Sequence, residues 1–327
     1  MSRPMPAELA QTLADGLLSF PVTPFSADLA VDRPALIEHL QWQSSYDVAG
    51  LFVAGGTGEG FSLSLAEHAE VTAAAVQAVS AGVPVISSAA GNTAQAVEMA
   101  RQAEQLGADG ILLMPPYLTE ASQAGLEAHV SAVLRATRLG VIVYHRANAR
   151  YSAQTVARLA ATHENLIGFK DGIGDLEHLA TVRSVNGDRL FYLGGLPTAE
   201  TFALPLLQMG VSTYSSAMFN FVPEFALGFY SAVRRQDHEA VQGALDAFVL
   251  PYLEIRDREK GHGVSIIKAG LRAVGRDAGP VRPPLRDLDA QEQAQLEALI
   301  LDAAPMREAL IASSDMTTRP GLDAAAV

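Results

Sequence analysis

Lys170 ends the apolar run Leu166-Ile167-Gly168-Phe169 and is followed at once by Asp171. Shielded by such neighbours, the ammonium form is penalised by desolvation, and the neutral amine that results can attack a ketone to form an imine. The same position also suits a lysine that snorkels to solvent or pairs with Asp171. Of the three lysines in the chain it is the strongest candidate nucleophile. Lys260 lies in the charged run IRDREK, which reads as a solvated face, and Lys268 lies in a helical stretch beyond it.

A second constellation is GGTGEGFS, residues 55–62. Gly55, Gly56 and Gly58 let backbone N–H groups converge, and Thr57 adds a hydroxyl, a set that suits a carboxylate or a phosphate. A plain tight turn accounts for the glycines equally well, and neither the dinucleotide fingerprint nor a P-loop is present. Glu59 suits a carboxylate that pins backbone N–H groups or the next helix start. Tyr144 and Tyr117 follow apolar runs; each can relay protons to a substrate oxygen or pack as an ordinary core or rim residue. Arg146 can bind a second anion bidentately, with the hydroxyls of Ser215 and Ser216 as helpers. The histidines lack paired metal spacing, since His163-Glu164 has no second histidine four residues on, so no metal site is expected.

These residues sit on a recurring pattern. A short run rich in Val, Ile, Leu and Phe is followed by a loop, an Ala-rich amphipathic segment and a glycine, and the cycle restarts. The runs are GLLSFPV (16–22), GLFVAG (50–55), VPVISSA (83–89), GILLMP (110–115), GVIVY (140–144), LIGFK (166–170), RLFYLGG (189–195) and VSTYSS (211–216). Continuous apolar character marks strands buried on both faces, as in parallel sheets. Ser64 with Glu67 and Asn92 with Gln95 fit capping boxes, and Gly82, Gly107 and Gly210 stand where helices should stop.

Eight such units predict an α/β fold of the (β/α)8 TIM-barrel type over residues 11–237, with C-terminal helices over 238–312 and a flexible tail over 313–327. Helices are expected over 223–236, 238–258, 262–275 and 289–312. An open doubly wound sheet is the alternative, and the missing dinucleotide fingerprint argues against it. In a closed barrel the working residues lie at the C-terminal strand ends. That is where Thr23, the 55–62 loop, Tyr117, Tyr144, Lys170, Gly194, Gly195, Ser215 and Ser216 fall.

The formal net charge of −13 argues against nucleic acid and anionic membrane surfaces as partners, yet leaves acidic small molecules open. With no cysteine, disulfides, thiolate metal sites and cysteine nucleophiles are excluded together. No apolar run reaches the roughly 18 residues of a spanning helix, and the N-terminal stretch has no signal-peptide core. A soluble cytoplasmic protein is expected.

Together these residues resemble the dihydrodipicolinate synthase and N-acetylneuraminate lyase family of Schiff-base-forming barrels. The resemblance is carried by FPVTPF (20–25), GGTGE (55–59), GNTAQA (91–96), MPPY (114–117), Tyr144, GFKD (168–171) and VRPPL (281–285), in the family's order over residues 16–285. It implies that Lys170 forms the imine, that Tyr144 and Tyr117 relay protons, and that no cofactor is needed beyond the covalent imine. It also implies a homo-oligomer, a tetramer or dimer, in which Tyr117 serves a neighbouring subunit.

Two positions depart from the synthases of that family. Gly56 stands where they carry a second hydroxyl, and His145-Arg146-Ala147 replaces their Asn-Val-Pro. The stretches FVAGGTGEGFSL (52–63), YHRANA (144–149) and PYLEIRDREKGHGVSIIKAGLR (251–272) are similar instead to members that dehydrate and decarboxylate a six-carbon 2-keto-3-deoxy sugar acid. That likeness implies a lyase with the loop amides and Thr57 on the carboxylate beside the ketone, and Tyr144 as the acid for the departing hydroxyl. Another class I 2-keto acid aldolase or synthase, and a non-catalytic keto-acid-binding protein, are the alternatives.

Overall fold

Strands buried on both faces can pair only edge to edge, and with helices covering the outside the sheet closes on itself. The computed structural model describes residues 3–117 and 120–313. Among them, strands β1 (Leu18–Ser19), β2 (Gly50–Phe52), β3 (Val85–Gly91), β4 (Gly110–Pro116), β5 (Gly140–His145), β6 (Leu166–Asp171), β7 (Phe191–Gly194) and β8 (Thr213–Ser216) form one closed parallel barrel in sequence order. It is a TIM barrel. Closure is made where Leu18 and Ser19 of β1 face Ser215 and Ser216 of β8.

Helix α1 (Pro6–Ala14) precedes the barrel; α2 (Arg33–Ser44), α3 (Leu65–Ala78), α4 (Thr93–Leu106), α5 (Gln123–Ala136), α6 (Ala153–Thr162), α7 (Leu176–Asn186), α8 (Ala203–Gln208) and α9 (Pro223–Arg234) follow the strands in turn. The C-terminal extension holds α10 (His238–Ala244), α11 (Leu250–Arg256), α12 (His262–Ala273), α13 (Ala290–Asp302) and α14 (Ala304–Ala312). No helix among the described residues is long and apolar enough to cross a membrane.

Several local expectations change. The run over 16–22 contributes only two residues to the sheet; Pro21 has no N–H to donate, and the chain leaves the ladder there. The stretch 238–258 is divided by a π turn over Leu245–Val249, just before Pro251, whose missing N–H spoils an α ladder. The stretch 289–312 is likewise two helices, parted at Ala303 ahead of Pro305. The Ser64–Glu67 capping box forms in full, whereas Asn92 accepts from the Gln95 N–H at 3.0 Å with no bond returned by the Gln95 side chain. Gly107 closes α4 in the left-handed conformation, and Gly82 and Gly210 lie at positive φ in the turns after α3 and α8. All but one residue of the expected tail lies outside the described residues.

Helix α1, which the strand pattern does not foretell, plugs the N-terminal end of the barrel. Leu9 and Leu13 are fully buried in one cluster with Ile86, Leu112, Ile142 and Ile167 from the barrel interior. Gly110 and Gly140 make room, since a Cβ on either would press on Leu9.

The feature that matters most for the site is a register shift between β5 and β6. Val141 pairs with Leu166 and the next residue, Ile142, pairs with Gly168, so Ile167 is an extra residue in β6. Leu166 faces outward into the helix layer, and simple alternation from it would turn Phe169 inward and Lys170 out. With Ile167 inserted, Phe169 packs outside with Val143, and Lys170 pairs with Tyr144 on the inner face.

Leu9→Ala is expected to remove about 2–5 kcal/mol of stability, as a buried leucine truncation leaves a cavity that the barrel base cannot close. Urea denaturation should show a lower midpoint at unchanged m-value.

Candidate active site

The C-terminal strand ends surround a cavity of about 590 Å³. Phe20, Thr57, Tyr144, Arg146, Lys170 and Gly195 meet around it. Lys170 is 3 % exposed, with Nζ 3.6 Å above the centre of the Phe20 ring and 4.5 Å from that of Tyr144. Burial pushes its pKa well below the usual lysine range, and the Arg146 cation pushes the same way. The pairing with Asp171 that the sequence leaves open does not occur. Asp171 turns outward, and its carboxylate accepts the N–H groups of Ile173 and Gly174 at 3.1 and 3.0 Å.

Two glycines make room for this arrangement. A Cβ on Gly195 would stand 2.5 Å from Cε of Lys170, and one on Gly172 would stand 2.6 Å from the Tyr144 ring. The Tyr144 hydroxyl donates to the Gly195 carbonyl at 2.9 Å and accepts from Nη1 of Arg146 at 2.7 Å. Burial raises the phenol pKa, and the arginine opposes that rise by stabilising the phenolate. Arg146 is thus bonded to the phenol, a role the sequence did not suggest for it.

The glycine-rich loop has its carbonyls occupied. Gly55 accepts from Gly60 N–H at 2.8 Å, Gly56 from Glu59 N–H at 3.2 Å, and Gly58 from the Thr23 hydroxyl at 2.7 Å. No hydrogen bond within the described residues engages the N–H groups of Gly56, Thr57 and Gly58 or the Thr57 hydroxyl. Gly56 and Thr57 line the cavity; Gly55 and Gly58 stand behind them. Glu59 is fully buried and accepts the backbone N–H of Arg282 at 2.9 Å.

The other expected residues are placed as follows. Ser215 lines the cavity and donates to the Gly194 carbonyl at 3.3 Å. The Ser216 hydroxyl donates to Glu200 at 2.6 Å and accepts from Phe219 N–H, so it is committed to holding the strand end. Gly194 faces outward toward Tyr214 and Leu206, and the following residue, Gly195, is the one at the cavity. Tyr117 is 93 % exposed beyond the end of β4 and does not line the cavity of this chain. β4 simply runs on past the mouth before the tyrosine is reached.

His145 also faces away from the cavity, stacked on His178 at 4.6 Å and accepting the Tyr151 N–H on Nδ1; burial lowers its pKa to about 4 and keeps it neutral.

The sequence reading missed the C-terminal contribution. Arg256 and Asp257 at the end of α11, with Lys260 in the turn before α12, stand at the cavity mouth. Lys260 is exposed as expected, yet its solvated face is the rim of the site. Phe20 was overlooked because nothing in FPVTPF marks which residue continues inward.

The model of the dihydrodipicolinate synthetase family matches residues 13–303. A protein of Pseudarthrobacter chlorophenolicus named "probable 5-dehydro-4-deoxyglucarate dehydratase" is 65 % identical over 300 residues, covering 92 % of this chain and 99 % of the relative. A Corynebacterium glutamicum protein of the same name is 62 % identical over 300 residues, 92 % of this chain and 95 % of its own. Among solved structures, dihydrodipicolinate synthase from Bacillus clausii superposes with a TM-score of 0.83 at 24 % identity, covering 90 % of this chain and 99 % of that one. The lysine-bound synthase from Cyanidioschyzon merolae gives 0.80 at 26 % identity, covering 89 % and 99 %.

Gly195→Ala should displace the Lys170 side chain by collision at Cε. Borohydride reduction in the presence of pyruvate is expected to give no adduct on Lys170 in this variant, while its far-UV circular dichroism stays that of the parent.

Proposed function

The chain belongs to the dihydrodipicolinate synthetase family, and on that premise we propose that it is a 5-dehydro-4-deoxy-D-glucarate dehydratase, a decarboxylating lyase that works through an imine on Lys170. The observation that carries this reading is the Lys170 amine, buried against Phe20 and Tyr144 in one cavity with the Thr57 loop. The kinship with dehydratases at 62 and 65 % identity supplies the substrate class, a 2-keto-3-deoxy sugar acid.

The neutral amine condenses with the C2 ketone, and water leaves. The free N–H groups around Thr57 and its hydroxyl take the C1 carboxylate. The cationic imine acidifies C3; loss of that proton gives an enamine, which expels the C4 hydroxyl as water once an acid protonates it. Tyr144 is that acid, and Arg146 stabilises the phenolate left behind.

The product of this step is a conjugated iminium, with the C6 carboxylate on C5 beside the new double bond. Cleavage of the C5–C6 bond sends its electrons along the chain to the imine nitrogen, and CO2 leaves. Protonation and hydrolysis then free 2,5-dioxopentanoate. One electron sink thus serves both eliminations, with the covalent imine in place of a cofactor. Arg146 takes the C6 carboxylate, with Ser215 exchanging its long 3.3 Å bond to the Gly194 carbonyl for it, whereas the Ser216 hydroxyl is held by its 2.6 Å bond to Glu200. The exposed Tyr117 suits a contact with a second copy of the chain, as a homo-oligomer of this family would provide.

Incubation with 5-dehydro-4-deoxy-D-glucarate should release CO2, and borohydride should trap an adduct that peptide mass mapping places on Lys170; Lys170→Ala should lose both. Release of pyruvate without CO2 would instead identify an aldolase. Arg146→Ala is expected to raise KM for the diacid tenfold or more and the pyruvate concentration needed for half-maximal trapping by much less, the smaller rise reflecting loss of the cation that lowers the Lys170 pKa. An equal effect on both would remove Arg146 from the second carboxylate.

A further inference from the structure

The glycine-rich loop is held from behind by a buried ion pair that no step of the mechanism uses. Oε1 of Glu59 lies 2.8 Å from Nζ of Lys268, and both side chains are wholly shielded from solvent. Lys268 comes from α12 in the C-terminal extension, where it also donates to the Pro280 carbonyl at 2.8 Å and sits 4.2 Å from the centre of the Phe25 ring. The second oxygen of Glu59 accepts the Arg282 N–H. The Arg282 guanidinium in turn bonds the carbonyls of Leu29 and Ser62 and pairs with Glu67 in the first turn of α3. The C-terminal side of the loop, at Glu59 and Ser62, is thereby tied to the extension.

The loop needs such restraint. Ala54 and Glu59, which bracket it, both lie in the left-handed region at φ +52 and +51, where a side chain is disfavoured. A Cβ on Gly58 would meet the Ala54 backbone and the Pro21 carbonyl at 3.0–3.2 Å, and one on Gly60 would collide with the Ala54 carbonyl. A turn this tight keeps its shape only when its surroundings fix it. An ion pair sealed from water is a costly way to do so, and well-packed apolar residues often serve stability as well or better. Its presence directly behind Thr57 therefore calls for a reason other than stability.

We propose that Glu59, clamped by Lys268 and Arg282, is a positioning residue that fixes the Gly55–Gly58 turn so its N–H groups and the Thr57 hydroxyl converge on the carboxylate beside the ketone. Affinity for 2-keto acids then depends on α12, and the C-terminal extension is part of the binding site. This rests on the reading of the loop as the seat of that carboxylate. It differs in consequence from the role of Arg146, because diacid and monoacid share the clamped carboxylate.

The test is a cycle of Glu59→Gln, Lys268→Met and the double variant, with Glu59→Asp alongside. KM for CO2 release from 5-dehydro-4-deoxy-D-glucarate and half-maximal borohydride trapping with pyruvate are read together with the urea midpoint. Each single variant is expected to lose stability and to need about tenfold more of either keto acid. The double variant has no uncompensated charge, so it should recover stability while KM stays raised. Glu59→Asp keeps the charge pair and folds, but its carboxylate is one methylene short; a KM raised for both keto acids is again expected. Wild-type KM in Glu59→Asp, or a double variant that recovers KM along with stability, overturns the clamp alone. A parent protein that gives no adduct with either keto acid overturns the functional reading, and the clamp's role with it.

Discussion

The amine of Lys170 is useful only if it is neutral, and it is neutral only while water is kept from it. Solvating an ammonium is worth far more than the contacts a lysine makes in an apolar wall, so burial lowers the pKa of the amine. Everything near it serves that end. Phe20 and Tyr144 cover it, Gly195 lets the chain pass close, and Arg146 adds a repelling charge within the same cavity. The packing of the barrel mouth and the lowered pKa of Lys170, its proposed nucleophile, are one arrangement.

The same arginine pushes the pKa of Tyr144 down as it does that of Lys170. A cation bonded to the phenol oxygen opposes the rise in pKa that burial imposes, so one guanidinium favours a neutral amine and a more acidic phenol side by side. An amine whose pKa is lowered, beside a phenol whose anion a cation stabilises, suits the proposed reaction, which first forms an imine and then protonates a leaving hydroxyl. Substituting Arg146 for the neutral residue of the synthase pattern thus alters the electrostatics of the whole cavity, in addition to any contact with a second carboxylate.

Much of this was legible in the chain. Eight apolar runs with their loops and helix stops gave the closed barrel, and the position of Lys170, Thr57 and Tyr144 at strand ends gave the cavity wall. Where the reading went astray, proline chemistry or tertiary packing decided. Pro21, Pro251 and Pro305 cut elements short that hydrophobic periodicity would have continued. Gly194 is adjacent to a cavity residue but faces the helix layer, and Ser216 lines the cavity with its hydroxyl already bonded to Glu200. The C-terminal extension reaches the rim with Lys260 and sets Lys268 against Glu59, 209 positions away; no local pattern encodes such a contact.

By itself the sequence determined the fold class and the residue types at the mouth, because buried parallel strands, helix caps and a lysine at a strand end are all local signals. It did not determine which way that lysine points. Counting alternate residues from Leu166 sends Lys170 outward, and only the extra residue at Ile167 turns it in. The insertion lies in the pairing of β6 with β5, while β6 and β7 pair without a shift. Pairing of this kind is a property of the assembled sheet, and the direction of the Lys170 side chain was settled there.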